Sequence, residues 1–296
     1  MVLRPWRNVD DLTGRPSDTW IIDFPAKTVE SSAALFEAPF EMLKAAWQSE
    51  NDRRRRQEEE PLRQGEPKSK NTWWLLQRAR PKLRKAISGL GRYIATPRVG
   101  KFRTFVWLHA GILPDTRVVA IARNDDTTFG ILHSRHHELS LRYGARHGVG
   151  NDPEYVHTQT FETFPFPDGL TPNIPAAEYP DNECAQAIAA AAARLNELRE
   201  NWLNPPDLVQ RLSEVVSGYP DRVVPIDNTA AAILRRRTLT NLYNERPAWL
   251  DAAHRDLDAA VSAAYGWRVD LSDEQILESL FALNQVRAGA SMVRDG

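Results

Sequence analysis

Apolar positions in the first third of the chain follow a strand pattern once and then a helix pattern. "TWIIDFP" at 19–25 gathers Trp20, Ile21, Ile22 and Phe24 and predicts a short buried strand. "SSAALFEAPFEMLKAAWQSEND" at 31–52 has helical spacing, with a start near Ser31 or Ser32 and a kink or break at Pro39. Residues 53–70, "RRRRQEEEPLRQGEPKSK", are almost wholly polar and read as a solvated helix end and loop. "NTWWLLQRARPKLRKAISGL" at 71–90 predicts a half-buried segment, then a short helix stopping near Gly89 and Gly91.

From 92 to 167 the pattern changes. "RYIATPRV", "RTFVWL", "TRVVAIA" and "TTFGIL" are short runs of β-branched and aromatic residues separated by turn-like segments. They predict three or four strands of a mostly antiparallel sheet. "HSRHHELSLRYG" (133–144) predicts a helix ending at Gly144, followed by a Gly-rich loop to 155 and an extended piece at 158–167. Residues 168–180, with Pro172, Pro175 and Pro180, read as a linker. Everything beyond reads as helical, over 182–203, 207–217, 228–242, 247–265 and 272–286. The fold class expected is α+β: a small, mostly antiparallel sheet with helices over 1–167, a linker, and an all-α part over 181–296.

Composition adds little to this picture, and charge distribution adds more. The 296 residues, 42% hydrophobic and 26% charged, suit a soluble globular protein with room for two cores. No apolar run reaches the roughly 18–20 residues of a membrane span, and "MVLRPWRNVDD" has no apolar signal region. The single cysteine, Cys184, excludes an intrachain disulfide and a cysteine zinc site and suits a reducing cytosol. The net charge of −1 conceals a strong asymmetry. Residues 53–103 hold 16 Lys/Arg and 4 Asp/Glu, whereas residues 168–296 hold 12 Arg and 19 Asp/Glu. Local fields follow local charge, so the basic segment suits phosphate.

"NWLNPPD" at 201–207 invites comparison with the Asn-Pro-Pro-aromatic motif of enzymes that methylate amino groups on flipped DNA bases. That motif belongs at the end of a buried strand, in a ligand crevice. Here Asn204 follows a helical pattern, and the fourth residue is Asp207, which offers no stacking platform. Two prolines ending one helix, with the next starting at Asp207, explain the motif better. A cofactor turn is also missing, because "GARHGVG" follows a helical pattern and "GLGRY" is a helix stop. His133, His136 and His137 lack the further ligand a metal site needs and read as solvent-facing or sheet-packing. His109, His147 and Ser134 lack a nucleophile elbow. The "RRRR" at 53–56 reads first as a solvated face, and Trp73, Trp74 and Trp107 as core.

One constellation survives. Arg92, Tyr93, Arg98, Lys101 and Arg103 lie within twelve residues on an expected hairpin, where alternation puts Arg92 and Arg98 on one face. Cations beside aromatics on a sheet face suit phosphate and base contact. "RNDD" (123–126) and "GARHGVGND" (144–152) could border the same surface and carry groups that read base edges.

At these residues the chain resembles a known family. "RYIATPRVGKFRTFVWLHAGILPD", "FGILHSRHHEL", "GVGNDPEYVHTQTFETFPFP" and "LTNLYNERPAWLDAAHRDLDAAVSAAYGW" together resemble the C-terminal part of the MmeI-like (type IIL) restriction–modification family. Its members are large, single-chain DNA adenine methyltransferases that use S-adenosylmethionine. The resemblance runs from "VLRPWRNVDDLTGRP" to "LSDEQILESLFALN". It implies that residues 1–167 are a DNA target-recognition domain and 181–296 a C-terminal helical domain. It also implies that the catalytic domain, with its S-adenosylmethionine site, lies outside this sequence, so the chain carries no catalytic residue and no cofactor of its own. The family's base-reading loops fall around Arg117–Asp126 and Arg142–Asp152, which nominates Arg123, Asn124, Arg142, Arg146, His147 and Asn151 for base edges. Arg92, Arg98, Lys101 and Arg103 are then phosphate contacts. The expected partner is double-stranded DNA in a bacterial or archaeal cytoplasm, with a separate methyltransferase chain as a further partner. Three rivals stand beside this reading: a subunit that docks a methyltransferase through protein contacts alone, an enzyme with an unrecognised site, and a remnant of a truncated gene.

Overall fold

The computed structural model describes residues 2–57, 72–76, 79–144, 152–179 and 181–294. The fold is α+β. The N-terminal strand β1 (Leu3–Arg7) pairs antiparallel with β2 (Trp20–Ile22), and α1 (Val9–Thr13) lies between them. Asn8 caps α1 in a reciprocal capping box with Asp11. Helices α2 (Glu30–Ala33) and α3 (Glu37–Arg56) replace the single helix expected from 31. The break precedes Pro39, which sits in the first turn of α3, where a missing N–H costs nothing. The helix α4 (Pro81–Ile87) follows.

The central sheet has the order β4–β3–β6, built from β3 (Arg92–Pro97), β4 (Val106–His109) and β6 (Val118–Ile121), all antiparallel. A two-residue strand, β5 (Leu113–Pro114), runs parallel to β1. Strand β3 is buried on both faces from Tyr93 to Pro97. Alternation divides it between two cores. Ile94 joins Phe105, Ile121 and the helices on one side, and Tyr93 and Ala95 join Leu12, Ile87, Leu108 and Val118 on the other.

"TTFGIL", expected as a strand, is the helix α5 (Asp126–His133). Asp125 caps it by accepting from the Thr128 amide at 2.7 Å. Every residue from Thr127 to His133 is buried, so α5 has no polar face, and an apolar run of this length has no periodicity to reveal it. The helix α6 (Arg135–Gly144) follows as expected, while 158–167 holds the short helix α7 (His157–Thr160) and turns instead of an extended piece. The proline-bearing stretch 168–179 places Leu170 and Tyr179 in the larger core.

The helix α8 (Glu183–Leu203) buries Ala185, Ile188, Ala192, Leu195 and Arg199, a stripe of helical spacing with an arginine at its end. It packs against α5 and against α11 (Ala248–Tyr265). The expectation of helix throughout this half fails at 207–217. That segment begins a hairpin of β7 (Val209–Leu212) and β8 (Arg222–Pro225), turned through Gly218 at φ 87°. Glycine adopts that φ without strain, and the pairing of β7 with β8 takes up the backbone groups a helix would have bonded internally. The expected helix at 228–242 is two, α9 (Asn228–Leu234) capped by Asp227 and α10 (Leu239–Glu245) capped by Thr238. The last element is α12 (Asp273–Arg294). No helix among the described residues is long and apolar enough to cross a membrane.

Candidate nucleic-acid interface

The basic residues divide between the two ends of β3, about 20 Å apart at ~3.3 Å per residue. At the first end, Arg92 lies 3.7 Å over the Trp107 ring and bonds the Asp126 carboxylate at 2.7 Å. Its Nε donates to the Asn124 carbonyl at 3.3 Å, which leaves the exposed Asn124 side chain facing outward from the turn before α5. Arg92 is therefore partly neutralised and held flat on an indole.

At the second end, Arg98 is exposed and its side chain makes no hydrogen bond or ion pair among the described residues. Its backbone is fixed on both sides: the amide donates to the Arg117 carbonyl at 2.8 Å, and the carbonyl accepts from the Tyr155 amide at 2.6 Å. An isolated bridge between Val99 and Glu154 adds to this tie. Lys101 is exposed beside it and donates to Asn244 Oδ1 of α10 at 2.6 Å. Arg142, near the end of α6, is exposed and paired with Glu138 at 2.6 Å. Tyr143 follows it with 69% of its surface open. Arg98 and its neighbour Val99 are thus tied to Glu154 and Tyr155, and Arg142 lies in the last turn of α6. Arg146, His147 and Asn151 lie outside the described residues.

Two nominated residues are structural. Arg103 is 8% exposed. Its Nη1 donates to Thr96 Oγ1 at 3.0 Å and to the Pro97 carbonyl, and its Nη2 donates to the Pro153 carbonyl at 3.0 Å. Burial lowers its pKa to about 10. It braces the β3–β4 connection against residue 153 and is withdrawn from the surface on which a DNA backbone phosphate would lie. Arg123 is likewise enclosed: Nε bonds Asp125 at 2.7 Å, and Nη1 donates to the Pro172 and Ile174 carbonyls at 3.0 and 2.7 Å. It ties β6 to the proline-bearing stretch, and a base edge cannot reach it. Sequence spacing cannot separate such braces from surface cations, because both occur at strand ends.

His133, His136 and His137 are buried, so of the two expectations, solvent-facing or sheet-packing, the first fails. His133 Nδ1 donates to the Phe129 carbonyl at 3.1 Å, and its Nε2 accepts from the Phe105 amide at 3.1 Å and from Arg199 at 2.7 Å. His137 Nδ1 donates to Leu132 at 3.0 Å, and His136 pairs with Ser262 at 3.2 Å. Among the described residues no group of three His, Cys, Asp or Glu is arranged to hold a metal ion. Asn204 ends α8. Its Oδ1 accepts from Arg15 at 2.9 Å, while Arg15 also reaches the Leu203 and Val223 carbonyls. The Asn-Pro-Pro motif is a structural joint between the N-terminal segment, α8 and β8; a turn and β7, not a helix, begin after its prolines.

No protein-family model matches the chain, and no curated protein sequence matches it. Among solved structures, the type IIL restriction–modification enzyme MmeI, determined in complex with DNA, matches with a TM-score of 0.61. The chain shares its fold with part of MmeI. Sequence identity is 16%, and the match covers 97% of this chain but 31% of the MmeI chain. The likeness to MmeI is thus one of fold, spread over both the sheet and the helical half.

Proposed function

We propose that the chain recognises duplex DNA as the target-recognition part of an S-adenosylmethionine-dependent DNA adenine methyltransferase of a restriction–modification system. Its catalytic domain, with the cofactor, is supplied outside this sequence. The observation that carries this reading is the fold shared with MmeI, a protein solved on DNA, across 97% of this chain. The exposed cations at one end of β3 support it. Arg98 and Lys101 are the phosphate contacts, with Arg92 joining them by exchanging Asp126 for a phosphate. Asn124, Arg142, Arg146, His147 and Asn151 are the base-edge contacts. Residues 1–167 form the recognition part and 181–296 the helical part, and the setting is cytoplasmic. Alone the chain grips and selects a site but does not methylate.

A second reading, a subunit that docks a separate methyltransferase chain through protein contacts, draws on the exposed Leu35, Phe36 and Met42 around α3. Fluorescence anisotropy of the chain on random-sequence duplex, repeated across a salt series, separates the two. DNA recognition requires affinity to fall linearly in log salt. Absence of binding at low salt removes the first reading.

A further inference from the structure

A small pocket of about 120 Å³ lies where the β3–β4 connection meets the α5–α6 junction, the end of α10 and the middle of α11. Space of this size holds a few waters or one small polyatomic ion. Its wall is rich in guanidinium groups: Arg103, Arg135, Arg142 and Arg246 all line it. Three of these already have carboxylate partners, in Asp273, Glu138 and Asp251. Arg103 has none among the described residues. It is 8% exposed, and among the described residues it is bonded only to carbonyls and a hydroxyl, with no partner for its Nε.

A second uncompensated cation lies behind the wall. Arg199 is 2% exposed, bonded to the His133 ring and the Phe105 carbonyl, and its Nε is also without a partner among the described residues. Burying a cation is costly unless an anion compensates it, and two such cations flank one pocket. The pocket also contains one carboxyl that no cation contacts within ion-pair distance among the described residues. Asp258 accepts from the Arg135 amide at 2.7 Å through Oδ1. Burial pushes this carboxyl up to about 6.

We propose that this pocket binds hydrogen phosphate, with the arginines holding its oxygens and Asp258 sharing its proton. Arginine N–H groups match the oxygens of a tetrahedral oxyanion. Two carboxyls line the pocket: Glu138 is paired with Arg142, whereas Asp258 has no such pair among the described residues, so Asp258 repels a fully deprotonated anion but accepts a hydrogen bond from a P–OH group. Inorganic phosphate still carries a proton at pH 7.5. Sulfate, a phosphodiester and the bulk of a phosphomonoester such as AMP do not. The pocket shares Arg142 with the proposed base-edge contacts but contains neither Arg98 nor Lys101, the exposed cations offered to a DNA backbone, and the assignment does not rest on DNA recognition.

The test is the thermal unfolding midpoint of the full chain at pH 7.5, titrated with inorganic phosphate, sulfate or AMP at ionic strength held constant with chloride. Phosphate is expected to raise the midpoint saturably, with at least about tenfold stronger apparent affinity than sulfate or AMP. Arg246→Gly removes one wall cation at a left-handed position, φ 43°, that suits glycine, so the variant folds. It is expected to weaken the phosphate response about tenfold. Asp258→Asn keeps the acceptor for Arg135 and is expected to abolish the preference for phosphate over sulfate. A midpoint no higher in phosphate than in chloride overturns the proposal. So does an equal response to sulfate in the unmodified chain, or a preference that survives Asp258→Asn.

Discussion

Arg199 donates to Nε2 of His133 at 2.7 Å, with both side chains enclosed between β4, α5 and α8. The bond requires a neutral imidazole. Burial first, and the Arg199 charge second, hold His133 well below its ordinary pKa.

Three further histidines, His136 and His137 buried and His254 half-buried, share this condition and make the fold acid-sensitive. Burial is the main cause for each, lowering His136 and His254 to about 4 and His137 to about 3. Unfolded, each titrates near 6.5. The stability they contribute is complete above pH 6.5 and is lost as pH falls toward 4, because the unfolded chain then binds more protons. Asp258, raised to about 6, acts with the opposite sign over part of that range, but it is one group against four. Each histidine contributes a slope of up to about 1.4 kcal/mol per pH unit. Urea midpoints measured from pH 7 to 4.5 should fall steeply; a flat or rising profile would contradict this account.

Gly130 sets the distance between α5 and α8. A Cβ added there would lie 2.7 Å from Ile188 Cγ2 and 3.0 Å from Ala192 Cβ. Gly130→Val should therefore destabilise by at least about 1–3 kcal/mol through overpacking. Pairing it with Ile188→Ala should cost less than the sum of the single changes. Additive losses in chemical denaturation would mean that the two helices do not meet at this point.

The Arg15–Asn204 bond gives the Asn-Pro-Pro motif a structural duty. Asn204→Ala should lower stability by about 1–2 kcal/mol, and Asn204→Asp, which keeps the acceptor, should retain most of it. Denaturant titration of the two variants decides this. Equal stability of both with the parent chain would leave the motif without a role in the joint.

The cations of the β3 hairpin should separate by assay. Arg98→Ala and Lys101→Ala should weaken duplex binding about equally on every sequence and each lower the salt slope by about one. Their stability should stay within ~0.5 kcal/mol of the parent. Arg103→Met and Arg123→Met should instead destabilise by several times that amount, since each leaves buried carbonyl groups without donors. Reduced binding with an unchanged salt slope in the Arg98 variant would remove it from the phosphate contacts.

Local pattern alone determined much of this protein. The amphipathic α8 and α11, the apolar β3 and the β-branched β6 could be read directly, because each is marked by residue types and spacing within one element. The N-terminal break near Pro39 and the stop at Gly89 were legible for the same reason. Tertiary structure decided the rest. The run 126–133 became a helix because α8 and the sheet enclose it on all sides, which erases the polar face that would have marked it. The segment after Pro206 became a hairpin because β7 found a partner in β8 across the Gly218 turn, a pairing no local window contains. The same distinction governs the basic residues. Charge and spacing grouped Arg92, Arg98, Lys101 and Arg103 alike, and the family resemblance nominated Arg123 for a base edge. Only the folded chain turned Arg103 and Arg123 inward onto backbone carbonyls and left Arg98 in solvent, because the carbonyls that capture a guanidinium come from segments as far off as Pro153 and Ile174.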